Sequence, residues 1–322
     1  MRGKIFIFMA LTLFLLVSVS FAGEYGVYVK VIERAKGSFD EVSSKVETVL
    51  KSAGWEVLAA YNTGVPEGCK FRSKVIVFSS PAYAKAIMST GVKAAFSLPL
   101  RAGIYEDESG INVAVVNPAS INRTIIHETK LNDLSLSSIN SIVDTIAKAV
   151  HGSVVKKQIG EVRSKGSVGG MGGGDFLDKI VEIYAAQDNA DAAFKSISEK
   201  VKKGILGNEK NWKLIYTYDL SAHNAMIFGL TEAKMEGRAF RIAGEKRASD
   251  SYKFPGIDHN TAFPIEVIVY KDDNRIKVVT LDGMYRMKVY FEDAGKWAFM
   301  KNMGMPGQIE KEIIEMVKIN LK

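Results

Sequence analysis

The chain has 322 residues, of which 47% are hydrophobic and 25% charged, and its formal net charge is +7. This composition is ordinary for a globular protein of about two domains, each able to bury a core without disulfide or metal. No run of Lys or Arg marks an arm for nucleic acid, so nucleic acid is not an expected partner.

The first 22 residues have the layout of a secretory signal peptide. Arg2 and Lys4 precede an apolar run at 5–19, and Ser20-Phe21-Ala22 forms a small-residue exit. The run is shorter than the roughly 20 residues of a membrane-spanning helix. We therefore expect cleavage near Ala22 and export to the periplasm or the extracellular space. An uncleaved signal would be the only expected contact with a membrane.

A first α+β domain is predicted over residues 23–160. Residues 25–33 alternate as a strand, and Ser38 with Glu41 forms a capping box that opens a helix ending at Gly54. The later predicted elements are strands at 55–61 and 74–78, a short helix from Pro81, two strands joined by an acidic turn at 106–110, and a helix over about 137–150.

Residues 161–176 are predicted to be a linker, because the stretch "RSKGSVGGMGGGD" is too rich in glycine to hold a regular element cheaply. A phosphate-binding loop is the alternative. The stretch lacks the Gly-Lys-Ser/Thr ending of a P-loop, and Asp175 stands where Gly-x-Gly-x-x-Gly needs its last glycine. We expect a flexible tether with few contacts between the domains on either side.

Residues 177–322 repeat the element order of the first domain. "NWKLIYTY" matches "GWEVLAAY", with Trp212 against Trp55, and "NAMIFG" matches "KVIVFS", with Phe228 against Phe78. Self-similarity of this length predicts a duplicated domain. The acidic turns at 106–108 and 271–273 correspond, and we interpret them as solvated hairpin tips rather than a catalytic pair.

One segment also resembles a known family. "VIVFSSPAYAKAIMSTGVKAAFSLPLRAGIYEDESGINVAVVNP" at 75–118 is similar to the domain of unknown function 302 family in its strand before Ser-Pro, its Leu98-Pro99 pair and its closing Asn-Pro. The resemblance covers residues 25–150 well and 177–322 more faintly. It implies an α+β fold of two tandem similar domains, each a curved antiparallel sheet packed by two helices in a TATA-binding-protein-like arrangement. Many members of the family have a Cys directly after the Leu-Pro pair. This chain has Leu100 at that position, so any thiol chemistry tied to that position does not carry over.

The copies differ most in an insertion near residues 232–260 of the second domain. Arginine and aromatic side chains are common in recognition surfaces. The insertion therefore supplies the candidate contacts to an anionic small ligand or an unknown envelope partner: Arg238, Arg241, Arg247, Phe240, Tyr252 and His259. The acidic residues among them, including Glu232 and Glu236, leave a solvated structural cover as the alternative.

Two further sites carry possible chemistry. Cys69, with Lys70 and Arg72 nearby, is the candidate reactive thiol, since cations lower a thiol's pKa, and a passive cysteine is the alternative. His223 and His259 flank the insertion and form a candidate metal or ligand site together with Asp258. The histidines lack the spacing of helical metal sites, so we expect neither a metal nor a cofactor.

The leading hypothesis is an exported, non-enzymatic binding or accessory protein. One alternative is a thiol- or metal-dependent envelope enzyme that uses Cys69 or His223 and His259. The other is a structural envelope protein that uses its domains as interaction blocks.

Overall fold

The computed structural model describes residues 25–126, 131–163, 168–170, 172–188, 190–245 and 255–321. Over these ranges the chain forms two antiparallel sheets with helices packed against them. The predicted α+β class with two tandem domains is therefore confirmed. The TATA-binding-protein-like arrangement stays a prediction, and the signal peptide lies outside the described residues.

The first domain contains a six-stranded sheet in the order β2-β3-β4-β5-β1-β6. Its elements are β1 (Tyr25–Ala35), α1 (Phe39–Ser52), β2 (Glu56–Asn62), β3 (Ser73–Ser79), α2 (Pro81–Met88), β4 (Leu100–Asp107), β5 (Gly110–Val116), α3 (Pro118–Ile126), α4 (Asn132–Ala149) and β6 (Ser153–Arg163). The predicted capping box begins α1, because the Ser38 amide donates to Glu41 Oε2 at 2.7 Å and the Glu41 amide donates to Ser38 Oγ at 3.3 Å.

The second domain contains a five-stranded sheet in the order β7-β11-β10-β9-β8. Its elements are β7 (Ile180–Ala186), α5 (Asp191–Leu206), β8 (Lys213–Leu220), β9 (Ala225–Thr231), α6 (Ala233–Glu245), β10 (Ile265–Asp272), β11 (Arg275–Leu281), α7 (Gly283–Phe291), α8 (Lys296–Lys301) and α9 (Gly304–Lys318). Its strands follow the order of β1 to β5 in the first sheet. In each domain two long helices pack together, α1 with α4 and α5 with α9.

Strand pairing corrects one predicted match between the two domains. Tyr61 pairs with Val75 and Tyr218 pairs with Ile227, so with the two tryptophans aligned Phe228 corresponds to Ile76 rather than Phe78. A shift of two residues returns each side chain to the same face of its strand. The alternating pattern alone therefore could not distinguish the two registers.

The two domains share a buried interface, which contradicts the expected scarcity of contacts between them. A first crossing segment, Val92–Ser97, packs on β10, and a second crossing segment, Ile257–Ala262, packs on β4. Asn260 Nδ2 donates to Ser73 Oγ at 3.0 Å, and Gly103 makes room, since a Cβ there would lie 2.0 Å from Asn260 Oδ1. The linker composition carries no information about such contacts, because the residues that form them are distant in sequence.

The predicted linker is partly ordered where the structure describes it. β6 continues to Arg163, Val168 pairs with Gly174, and Phe176 is buried with its ring 5.7 Å from that of Phe96. Among the described residues, no helix combines the length and apolar content needed to cross a bilayer.

Candidate functional site

A buried ion pair between Arg101 and Glu266 lies at the centre of the domain interface. Arg101 stands six residues before Asp107 at the tip of its hairpin (107 − 101), and Glu266 stands six before the equivalent Asp272 (272 − 266). The two residues therefore occupy equivalent positions in the two sheets. Arg101 Nη1 lies 2.6 Å from Glu266 Oε1, and the two side chains are 2% and 6% exposed.

Several further groups surround this pair. Arg101 Nη2 lies 2.6 Å from the Tyr290 hydroxyl, and Arg286 Nη2 donates to the Pro264 carbonyl at 2.8 Å. Arg286 Nη2 also lies 3.7 Å from Glu266 Oε2. Buried charges are tolerated only when paired and hydrogen-bonded, so this network fixes the position of one domain on the other. It is closed to solvent and offers no surface to a ligand.

His259 extends the buried network and is not the surface contact that the sequence predicts. Nδ1 lies 2.8 Å from Asp258 Oδ1 and Nε2 lies 2.9 Å from Asp293 Oδ1, and the imidazole is fully buried beside the rings of Tyr28 and Phe291. Burial alone would lower its pKa, but the two carboxylates raise the pKa of His259 to about 9. His259 is thus an imidazolium held between two carboxylates.

The structure does not bring His223 to His259. His223 precedes β9 near the pair Ala225 and Tyr270, whereas His259 precedes β10 near the pair Leu230 and Ile265. These are opposite ends of one strand pair, about 17 Å apart at the rise of a β-strand. Within the part of the chain that the structure describes, no group of three or more His, Cys, Asp or Glu side chains is arranged to hold a metal.

An open groove of about 620 Å³ separates the loop between β2 and β3 from helix α6. We call it the interdomain groove, since the loop belongs to the first domain and the helix to the second. Its lining residues are Gly64, Val65, Glu67, Ala233, Lys234, Gly237, Arg238 and Arg241.

One wall of the interdomain groove is cationic. Lys234, Arg238 and Arg241 follow one another at i, i+4 and i+7 on α6, so they share one face of the helix, and all three are exposed. Among the described lining residues, Glu67 is the one exposed carboxylate. Three cations and one anion leave a net charge of +2, which favours an anionic occupant.

Two glycines bring the walls of the groove into contact at its base. A Cβ on Gly64 would lie 1.9 Å from the Ala233 carbonyl oxygen, and a Cβ on Gly237 would lie 2.4 Å from the Val65 carbonyl oxygen. Backbone thus rests on backbone, and any larger residue would separate the loop from the helix. This contact sets the position of the cationic wall relative to the loop.

Glu236 lies behind the lining of the groove, between the two domains. It belongs to α6, but its carboxylate accepts hydrogen bonds from the Tyr61 hydroxyl at 3.0 Å and from the Gly64 amide of the first domain. The residue is buried. Burial, with a smaller contribution from Glu232, raises the pKa of Glu236 to about 7.

The predicted contact residues therefore have different locations. Arg238 and Arg241 line the groove, whereas Phe240 is fully buried with its ring 5.9 Å from that of Phe263, which corrects its assignment as a surface contact. Arg247 and Tyr252 lie outside the described residues. Cys69 is half-buried in the loop that forms the opposite wall, and its reactivity stays a prediction.

Sequence reasoning missed Glu236, Arg101 and Glu266. For Glu236 a signal was present, since it lies four residues before Phe240 and three before Ala239, both buried on the inner face of α6. That position predicts a buried carboxylate rather than a solvated one. Arg101 and Glu266 carry no comparable local signal, because each alternates with apolar residues as an exposed strand residue also does.

Comparison with known proteins supports the family resemblance in the first domain. Residues 31–151 match the model of the family described as "Domain of unknown function DUF302". No curated protein matches the chain. Among solved structures, the uncharacterized conserved protein DUF302 from Bacillus stearothermophilus is similar at 14% sequence identity, over 39% of this chain and 97% of that chain, with a TM-score of 0.33.

Proposed function

We propose that this protein, whose residues 31–151 match the DUF302 family, is an exported non-enzymatic binding or accessory protein that holds an anionic ligand in the interdomain groove. The observation that carries the proposal is the exposed row of Lys234, Arg238 and Arg241 along one wall of an open groove of about 620 Å³. Export rests on the signal layout of residues 1–22, with Gly23 as the expected mature N-terminus.

The chemistry of the wall suits a carboxylate or phosphate group. A guanidinium offers several N–H donors in a planar fork that fits two anionic oxygens at once, and an ammonium adds a point charge. Charges of one sign at the wall of a cleft also concentrate the counter-ion there. Of the two arginines, Arg238 is positioned by a hydrogen bond to Gln308 Oε1 at 3.2 Å.

The buried interface supports this function by holding the walls in place. The groove needs both domains, because its loop and its helix come from different ones. The ion pair of Arg101 with Glu266 and the close contacts at Gly64 and Gly237 fix their separation before any ligand arrives. A preorganised site loses less conformational freedom on binding than a flexible one.

Thermal unfolding in a panel of anions tests the proposal. Sulfate, inorganic phosphate, succinate and citrate are added to the wild type, to Arg238→Ala/Arg241→Ala, and to a control in which the exposed Lys195 and Lys200 of α5 become alanine. Binding to the folded state stabilises it by about 2.7 kcal/mol at an anion concentration of about one hundred times Kd. Salts such as sulfate also stabilise proteins non-specifically, and the α5 control measures that contribution.

We expect at least one anion to raise the Tm of the wild type and of the α5 control well above that of the groove variant. Equal shifts in all three proteins, or no shift with any anion, would overturn the proposal. The export part has its own measurement, the mass of the N-terminal peptide from the exported fraction. A protein found with residues 1–22 intact and inside the cell would contradict it.

A further inference from the structure

A buried carboxylate lies behind the lining of the interdomain groove. Glu236 precedes Gly237 on α6, and its carboxylate accepts from the amide of Gly64, so it touches a lining residue on the loop and adjoins one on the helix. The groups that face it are the Tyr61 hydroxyl on β2, the Gly64 amide on the loop, Thr231 on β9, and the buried Glu232 before α6.

We propose that the interdomain groove takes up a small dianion together with one proton, and that the proton is held on the carboxylate of Glu236. The inference rests on the proposed function, and it names the class of ligand and the protonation that controls ligand binding. The proton comes from solvent and adds to one carboxylate oxygen, so no other bond is formed or broken.

The preference for a dianion follows from the charge and length of the cationic wall. Lys234 and Arg241 are seven residues apart, which is about 10 Å along a helix. The wall and Glu67 together carry a net charge of +2. One acidic group can contact only part of such a row, whereas two acidic groups on a short spacer can contact both ends and balance the charge.

Proton uptake follows from the position of Glu236. An anion in the groove repels the ionised carboxylate, which lies one hydrogen bond behind the lining residue Gly64, and burial weakens the screening of this repulsion because the effective dielectric there is low. A protonated carboxyl removes the repulsion and keeps its structural contacts, since its carbonyl oxygen still accepts from Gly64. The pKa of about 7 places the group near half-protonation at neutral pH, so a small additional repulsion shifts its charge.

The sign of the pH dependence is therefore fixed. Binding favours the protonated form of Glu236, so the affinity for the dianion must fall as the pH rises through about 7. Each unit by which the ligand raises this pKa corresponds to a tenfold difference in affinity between the two ends of the titration. We expect a loss of about tenfold.

Isothermal titration calorimetry in two buffers of different ionisation enthalpy measures the proton uptake. The probes are succinate and ethane-1,2-disulfonate, whose acidic groups stay ionised at neutral pH, with acetate and methanesulfonate as the single-charge comparisons. The bound complex holds one proton on Glu236, and the net uptake measured near pH 7 should be less than one proton per dianion, because a pKa of about 7 means that part of the free protein already carries that proton.

Glu236→Gln should bind the dianions without proton uptake and with an affinity that does not change across neutral pH. Glutamine keeps an acceptor for the Gly64 amide and resembles the protonated acid. The matched control is Glu199→Gln, which removes an exposed carboxylate of α5, outside the groove lining, and should retain the proton uptake.

Each outcome tests a separate part of the proposal. Dianion binding to the wild type without proton uptake overturns the inference and leaves the proposed function intact, and this measurement does not depend on the folding of any variant. Unchanged proton uptake in a folded Glu236→Gln overturns the assignment to Glu236. Equal affinity for the single-charge probes overturns the dianion preference. Absence of binding by every probe, together with no shift in the anion panel, overturns the proposed function as well.

Discussion

Replacing Arg101 by methionine tests whether buried charges hold the two domains together. Arg101 contacts three groups of the other domain: the Glu266 carboxylate at 2.6 Å, the Pro264 carbonyl at 3.2 Å and the Tyr290 hydroxyl at 2.6 Å. Methionine fills much of the same volume but offers none of these contacts. Glu266 then loses its partner at 2.6 Å in a closed interface and keeps Arg286, 3.7 Å away, as a cationic neighbour.

The expected cost is large because one charge is left without its main partner. Removing one member of a buried ion pair typically costs 3–5 kcal/mol. Arg286 compensates partly for the lost charge, so we expect a value near the lower end, about 3 kcal/mol. Replacing both partners, as Arg101→Met/Glu266→Leu, removes the orphaned carboxylate, while Arg286 keeps its carbonyl acceptors on Ala262 and Pro264, so the double variant should cost less than the single variant.

Equilibrium unfolding in urea, followed by circular dichroism, measures these free energies of unfolding. Arg72→Met is the matched control, because Arg72 pairs with Glu106 at 2.8 Å within one domain and is 51% exposed. An exposed pair contributes at most about 1 kcal/mol. The reasoning is refuted if Arg101→Met costs no more than Arg72→Met, or if the double variant costs the sum of its two single variants.

Three further results are expected. First, the full chain should unfold in one cooperative transition in a calorimeter, because the interface is buried; two separated transitions would restore the expectation of independent domains. Second, because the pKa of His259 is raised to about 9, the protonated imidazole stabilises the fold fully below about pH 6.5, and this contribution is lost as the pH rises through about 9. The free energy of unfolding should therefore fall by about 3 kcal/mol over that range in the wild type, and by much less in His259→Gln. Third, Gly64→Ala and Gly237→Ala should each lower the free energy of unfolding in urea by about 1–3 kcal/mol. Gly307→Ala should lower it far less, because a Cβ at Gly307 would have nothing within 4 Å. Equal effects of all three substitutions would mean that the loop and α6 are not in contact.

Elements with a local signal can be predicted from the sequence. The capping box at Ser38 and the alternation of β1 depend on residues within one turn or one strand, and the predicted bounds lie close to the observed ones. Hairpin tips at 106–110 and 271–275 are equally readable, since the acidic and glycine residues there satisfy turn geometry. The long internal repeat likewise predicts the order of strands and helices in the second domain.

The interface could not be predicted in the same way, because its contacts join residues that are far apart along the chain. Arg101 and Glu266 are separated by 165 positions, and Tyr61 and Glu236 by 175. A glycine-rich linker suggests independence, although a linker's composition governs only its own stiffness and not the surfaces beside it. The cationic residues of the candidate site are visible in the sequence as a cluster, but the opposing wall on the first domain is not.

The site we propose lies where the two domains differ. The loop between β2 and β3 has ten residues (63–72), whereas the equivalent connection between β8 and β9 has four (221–224). Helix α6 has 13 residues, whereas the equivalent α2 has eight. The long loop of one domain meets the long helix of the other, and the groove forms between them.

Equivalent residues, in contrast, meet at the centre of the interface, where Arg101 of one sheet pairs with Glu266 of the other. A pair of equivalent positions facing each other cannot be self-complementary when both carry the same charge. If the domains arose by the predicted duplication, the two copies must have diverged at these positions to acquire opposite charges. The resulting ion pair favours one orientation of the domains relative to each other. That orientation brings the elongated loop and the elongated helix together, so the open groove depends on the interface that the buried ion pair helps to hold, although the two share no residue.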